Sequence, residues 1–172
     1  SFRYPREGGF QEFFRGIIKK NTNNLIGEEV VGVDPKKKSV HTQSGRELGY
    51  EYLVNTIPLT ELVPLIKNVP SEVIAAAESL RYLNLLISAV VIPKKNLSFP
   101  DWFYVYDEDL DFSRVMNISK VTQKKGSSIA LQFETFRRND EDYDIEEVKS
   151  EVVKDIAKFL KIEESQLKVF HN

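Results

Sequence analysis

The sequence predicts an α+β fold: a mixed or antiparallel sheet with helices packed on one face, plus a short β-meander nearer the amino-terminal end. Three observations predict it. Four apolar runs of strand length follow one another between residues 83 and 136, separated by polar turns, and consecutive strands with short links favour antiparallel pairing. Residues 145–160 then carry Val148, Val152, Ile156 and Phe159 along one stripe, the spacing of a helix that buries one face against such a sheet. Well before both, residues 29–34 (EVVGVD) and 39–43 (SVHTQ) are β-branched runs joined by Pro35-Lys36-Lys37-Lys38, which is a hairpin signal.

Taken in order, Gly8-Gly9 follows an extended Tyr4-Pro5 and precedes Phe10, Phe13, Phe14, Ile17 and Ile18. That spacing predicts an amphipathic helix over residues 10–20, opening after a glycine turn and ended by residues 21–24. The hairpin comes next, with a second turn at Ser44-Gly45, and residues 52–57 (YLVNTI) read as a third, buried strand. Pro58 suits the first turn of a helix running to about residue 66. Val69-Pro70-Ser71 leads into another helix over residues 72–79, whose Ala75-Ala76-Ala77 suits close packing. Strands are expected at 83–92, 101–106 (DWFYVY), 113–119 (SRVMNIS) and 129–136 (IALQFETF), then an acidic loop at 139–144, the long helix, and a last strand beginning at Leu167.

The composition excludes several classes of function. A net charge of -2 over 172 residues leaves no basic footprint, so nucleic acid is not an expected partner. The chain has no cysteine, which removes disulfides and thiolate metal sites and fits a cytoplasmic setting. Its longest apolar run, residues 83–93, is interrupted by Asn84 and Ser88 and is too short for a membrane span. The only methionine is Met116, the start is abrupt, and the last strand is cut at Phe170-His171-Asn172. A piece of a longer protein is therefore expected.

No self-contained catalytic motif stands out. HExxH, GxSxG and the phosphate-binding loop are missing. His41 and His171 lie far apart in sequence, and His41, in a strand beside a turn, reads as a solvated or packed side chain. The acidic stretches at 107–111 and 140–144 lack the glycine-anchored spacing of a calcium loop, so no metal site is expected.

Two groups of residues carry a resemblance. Tyr4-Pro5, Gly8-Gly9, the first helix, the hairpin and residues 52–62 (YLVNTIPLTEL) occur in the order found in the middle section of FAD-dependent amine oxidases and protoporphyrinogen oxidases, and the chain resembles these flavoproteins. The resemblance implies a β-meander beside the flavin's adenine, with Val30 as the cofactor-binding position whose backbone meets that ring. It also implies that Thr56-Ile57-Pro58 crosses between domains. Residues 1–57 would then belong with an FAD-binding domain and residues 58–172 would form a substrate-binding domain.

Within that superfamily, Phe2-Arg3-Tyr4-Pro5 with Gly8-Gly9, Trp102-Phe103-Tyr104, and Phe112-Ser113-Arg114 with Ser119 look like UDP-galactopyranose mutase of the eukaryotic type. This implies that Arg114 grips the pyrophosphate of a nucleotide sugar and that Tyr104 lines the pocket. A guanidinium offers phosphate oxygens a planar fork of donors and keeps its charge when partly desolvated. Strand alternation would place Trp102, Tyr104 and Tyr106 on one face, and Arg114, Met116 and Ile118 on one face of the neighbouring strand. The bland alternative is that the aromatics are core or rim residues and that Arg114 pairs with Asp109 or Asp111. Val121 stands where the mutase has an aromatic residue.

The eight glycines include no GxGxxG, and the carboxy-terminal flavin motif of the family is missing. FAD is thus expected in the full-length parent, held by the missing FAD-binding portion of the same protein, and none is expected on this chain alone. The functions implied are those of the substrate-binding portion of an FAD-dependent oxidoreductase or mutase. The mutase reading is nucleotide-sugar ring contraction through reduced flavin. The alternatives are amine-oxidase-type hydride transfer to FAD or a non-catalytic binding module, and no catalytic residue is singled out.

Overall fold

The computed structural model describes every residue except 1, 2, 6, 21, 22, 94–97, 124 and 125. It divides into two compact units, one formed by Ser1–Lys20 with Tyr82–Asn172 and the other by Asn21–Arg81. The chain opens in the first unit with helix α1 (Glu12–Lys20). Gly8 and Gly9 both lie at positive φ, 76° and 73°, which glycine adopts without the steric cost that a Cβ would bring. The Gly9 carbonyl accepts a hydrogen bond from the Glu12 N–H at 3.2 Å, so the glycine turn feeds the helix directly.

In the second unit, β1 (Val30–Asp34), β2 (Ser39–Thr42) and β3 (Glu47–Gly49) form an antiparallel meander in that order. Asp34 Oδ1 accepts from the backbone N–H groups of Lys36 and Lys37 at 3.1 and 3.0 Å, which shapes the lysine turn. The register shifts between Val30 and Gly32, a bulge on the outer strand. Helices α2 (Leu59–Leu65) and α3 (Ser71–Glu78) follow, entered through Pro58 and Pro70. Residues 52–57 do not form the expected strand. Tyr52 and Val54 are each 85% exposed, and Asn55 Nδ2 donates to the Ile57 carbonyl while Oδ1 accepts from the Ile57 N–H. A local side-chain turn replaces strand pairing there, and the third strand of the meander is instead Glu47–Gly49.

The remainder of the first unit is a two-layer sandwich. Strands β4 (Leu83–Pro93), β5 (Trp102–Tyr104), β6 (Arg114–Asn117), β7 (Ser128–Arg138) and β8 (Lys168–His171) form an antiparallel sheet in the order β5-β6-β7-β4-β8. Between β6 and β7, α4 (Ile118–Val121) is a short helical turn, so Ile118 and Ser119 leave the strand expected for them. Asn117 Oδ1 caps that turn by accepting from the Lys120 N–H at 3.0 Å. The long helix α5 (Ile145–Leu160) packs on one sheet face, matching the predicted span.

Burial follows from alternation. Val90, Ile92, Val115, Leu131 and Phe133 point from the strands to meet Val148, Val152, Ile156 and Leu160 of α5. Each such side chain removed from water stabilises the fold by about 1.5–3 kcal/mol. Phe112 packs edge-on to Phe133 at 4.8 Å between ring centroids, and Phe159 closes the cluster at 5.5 Å from Phe112. With one face committed to α5, the opposite face of the same strands carries every alternate side chain outward.

Candidate functional site

The outward face is where the predicted substrate residues meet. Register places Tyr104 opposite Arg114, Arg114 opposite Glu134, and Glu134 opposite Ile87. The neighbouring row runs Trp102, Met116, Gln132, Ala89, Phe170. Directly opposed residues of an antiparallel pair share a face, so Trp102, Tyr104 and Arg114 stand together across β5 and β6. Trp102 meets Tyr104 edge-on at 5.4 Å, and the Tyr106 ring lies 6.3 Å from Tyr104. Tyr106 itself falls outside β5 and is 88% exposed, so it extends the aromatic wall from the following loop rather than from the strand. Phe2 of the mutase-like motif lies outside the described residues.

Arg114 has a partner that sequence reasoning missed. Its Nη2 donates to Glu134 Oε1 at 2.7 Å and lies 2.5 Å from Oε2. Glu134 is 2% exposed, and Gln132 Nε2 donates to the same Oε1 at 3.1 Å. The arginine's pKa is raised from its ordinary value, first by the Glu134 hydrogen bond, with burial opposing and the neighbouring Tyr104 adding to the rise. Arg114 Nε is buried with no hydrogen-bond partner among the described residues, so the carboxylate engages only part of the fork. The expected alternative partner, Asp111, instead binds Arg137, whose Nη1 donates to Oδ1 at 2.8 Å. A signal for Glu134 was present in the sequence: Gln132 and Glu134 are polar at alternate positions on either side of the apolar Phe133, which marks one face.

Val30 lies in the other unit and lines a groove of about 710 Å³ between the bulged end of β1 and residues 53–57, with Leu62 and Leu65 behind it. The lining is apolar apart from Glu28, Glu29, Asn55, Thr56 and Glu61. Donation from the Ser44 hydroxyl is the main cause that holds the Glu28 carboxyl below its ordinary pKa. The bridge between Val33 and Ile66 closes the outer edge of β1 at its far end. The groove therefore lies along the Val30 end.

The histidines remain apart from both places. His41 sits on β2, 3.9 Å from Glu47. His171 Nδ1 is hydrogen-bonded at 2.9 Å to the hydroxyl of Ser88, which has no exposed surface. Burial first, and Lys149 next, hold the His171 pKa below its ordinary value. Among the described residues no helix is long and apolar enough to cross a membrane.

Solved structures share the fold. A reduced UDP-galactopyranose mutase superposes with a TM-score of 0.81 at 17% identity, over 99% of this chain and 39% of that one. The chain has the fold of that part of the mutase. An Exiguobacterium protein assigned to the protoporphyrinogen oxidases matches with a TM-score of 0.59 at 14% identity, over 84% of this chain and 34% of that one. A CLA-producing fatty acid isomerase from P. acnes matches with a TM-score of 0.61 at 16% identity, over 94% of this chain and 39% of that one. These neighbours are amine-oxidase-like flavoproteins, the class that the motif order resembles. The chain spans 39% or less of the length of each of them. No protein-family model and no curated protein matches it.

Proposed function

We propose that this chain is the substrate-facing part of an FAD-dependent enzyme, and that its open sheet face holds a nucleotide sugar as in the mutase. One observation carries the reading: Trp102, Tyr104 and Arg114 come together on the face left free by α5. A planar base or sugar stacks on such aromatics, and a guanidinium beside them supplies donors for a diphosphate. The mutase structure matches more of the chain, at a higher TM-score, than the other two neighbours do.

The residues present fit one end of the cofactor. The groove at Val30 is apolar and large enough for a planar heterocycle, and the outer edge of β1 has backbone groups to meet ring nitrogens. Glu28 and Glu29 at its rim are placed to accept from hydroxyl or amino groups. With no GxGxxG in the sequence, the pyrophosphate and isoalloxazine of FAD fall to the rest of the parent protein. On this assignment residues 1–57 serve the cofactor domain and residues 58–172 the substrate domain. When bound, the flavin supplies the redox or nucleophilic chemistry; the side chains of this chain bind and orient. Arg114 holds the diphosphate, Tyr104 lies against it, and Trp102 and Tyr106 wall the pocket.

Titration of UDP into the protein carrying this chain, and into an Arg114→Lys variant, tests the reading. UDP should bind, and the lysine variant should bind at least about tenfold more weakly because it loses the planar fork. No UDP binding, or equal affinity for both proteins, overturns it. A second reading, hydride transfer from an apolar substrate to FAD, is favoured by Leu85, Phe136 and Phe170, exposed on the same sheet face.

A further inference from the structure

An arginine that serves a diphosphate gains most when its fork is free, because charge-assisted bidentate hydrogen bonds are the strong ones. Arg114 is not free. Glu134 faces it across β6 and β7, touches Nη2 with both carboxylate oxygens at 2.5 and 2.7 Å, and is almost wholly cut off from water. The pair is therefore close to neutral as a unit. Any anion seated on Arg114 also lies within several ångströms of a buried negative charge. At that range, and with little solvent to screen it, the repulsion is of the same order as the attraction to the guanidinium.

Three details make this more than a structural ion pair. Glu134 uses one nitrogen of the guanidinium and leaves Nε without a hydrogen-bond partner among the described residues, whereas a purely structural pair favours the two-nitrogen fork. Gln132 Nε2 donates to Glu134 Oε1 at 3.1 Å, which holds the carboxylate in place from its own strand. Tyr104 stands opposite Arg114 and Arg114 opposite Glu134, so the row Tyr104, Arg114, Glu134 is continuous across β5, β6 and β7.

We propose that Glu134 is a positioning residue that directs Arg114 along the sheet face and cancels its charge, so that a bare anion is held poorly. An anion that also carries a group able to stack on Trp102 and Tyr104 then has the advantage. This deepens the nucleotide reading above and rests on it for the stacking group. It does not rest on it for the charge cancellation.

The test is calorimetric titration of inorganic pyrophosphate and of UDP into the protein carrying this chain, as wild type, Glu134→Gln and Glu134→Met. In the wild type, pyrophosphate should bind at least about tenfold more weakly than UDP. Both variants should bind pyrophosphate about tenfold or more tightly than the wild type, and the gain should shrink as salt is raised. General damage to the sheet would lower anion affinity, so a gain cannot come from misfolding. Unchanged or weaker pyrophosphate binding in whichever variant is folded overturns the proposal, even if UDP binds. If the variants gain pyrophosphate but UDP binds no better than pyrophosphate in the wild type, the role of Glu134 stands and the nucleotide reading falls.

Discussion

Arg114 on β6 and Glu134 on β7 stand directly opposite each other, and the carboxylate is the more deeply buried: its side chain is 3% exposed against 36% for the arginine. The two residues are therefore unequal partners in stability. Removing the arginine strands a buried charge, whereas removing the carboxylate leaves a cation that can still reach water.

Arg114→Ala should accordingly cost about 3–5 kcal/mol, the penalty of breaking a buried pair from one side. The double variant Arg114→Met/Glu134→Leu should recover most of that loss, because no charge is left unpaired. Urea unfolding followed by circular dichroism measures both. An Arg114→Ala protein as stable as the wild type would show that the Glu134 carboxylate is not left stranded.

The α5 stripe is the main apolar contact of the sheet. Ile156 has no exposed surface, so Ile156→Ala should cost about 2–5 kcal/mol through lost transfer energy plus the cavity left behind. Thermal unfolding should show a clear drop in Tm with the open sheet face unaltered in UDP titration.

Entry to α5 depends on Asp144, whose Oδ1 accepts from the Glu146 and Glu147 N–H groups at 2.7 and 3.4 Å. Asp144→Ala should cost about 1 kcal/mol, and Asp144→Ser or Asp144→Asn should restore most of it. Denaturant midpoints at constant slope are the appropriate comparison.

A pH dependence follows from His171. Its folded pKa is depressed, by burial first and Lys149 second, so the folded protein binds fewer protons there than the unfolded chain does. The contribution is fully present above the unfolded value of about 6.5 and is lost as pH falls below it. The charged groups around the imidazole are Lys149 and Glu146 of α5 and Arg137 of β7, with Ser88 on β4 bonded to Nδ1. Stability of the wild type should fall more between pH 6.5 and 5 than that of a His171→Gln variant. Parallel pH profiles would remove His171 as the cause.

Local signals were legible in the sequence because their causes are local. The apolar stripe of α5, the long apolar run of β4, the lysine turn between β1 and β2, and the glycine entry to α1 each depend on residues within a few positions of one another. The order of motifs also pointed to the fold that the mutase structure shares. Residues 52–57 were misread as a strand because β-rich composition does not supply a neighbour to pair with, and the Asn55 turn satisfied that backbone instead. Ile118 was misread for a related reason: Asn117 caps a helical turn and takes the chain out of β6. The polar alternation of Gln132 and Glu134 marked a face of β7, but it did not say which residue of that face would meet Arg114. Asp109 and Asp111 were nearer along the chain, but the register of β6 on β7 decided the matter by bringing Glu134 across twenty residues. Sequence by itself determined that Trp102 and Tyr104, and likewise Arg114 and Met116, share a face of their own strand. Only the tertiary pairing of strands decided which of them touch, because register is a property of two strands and neither one carries it alone.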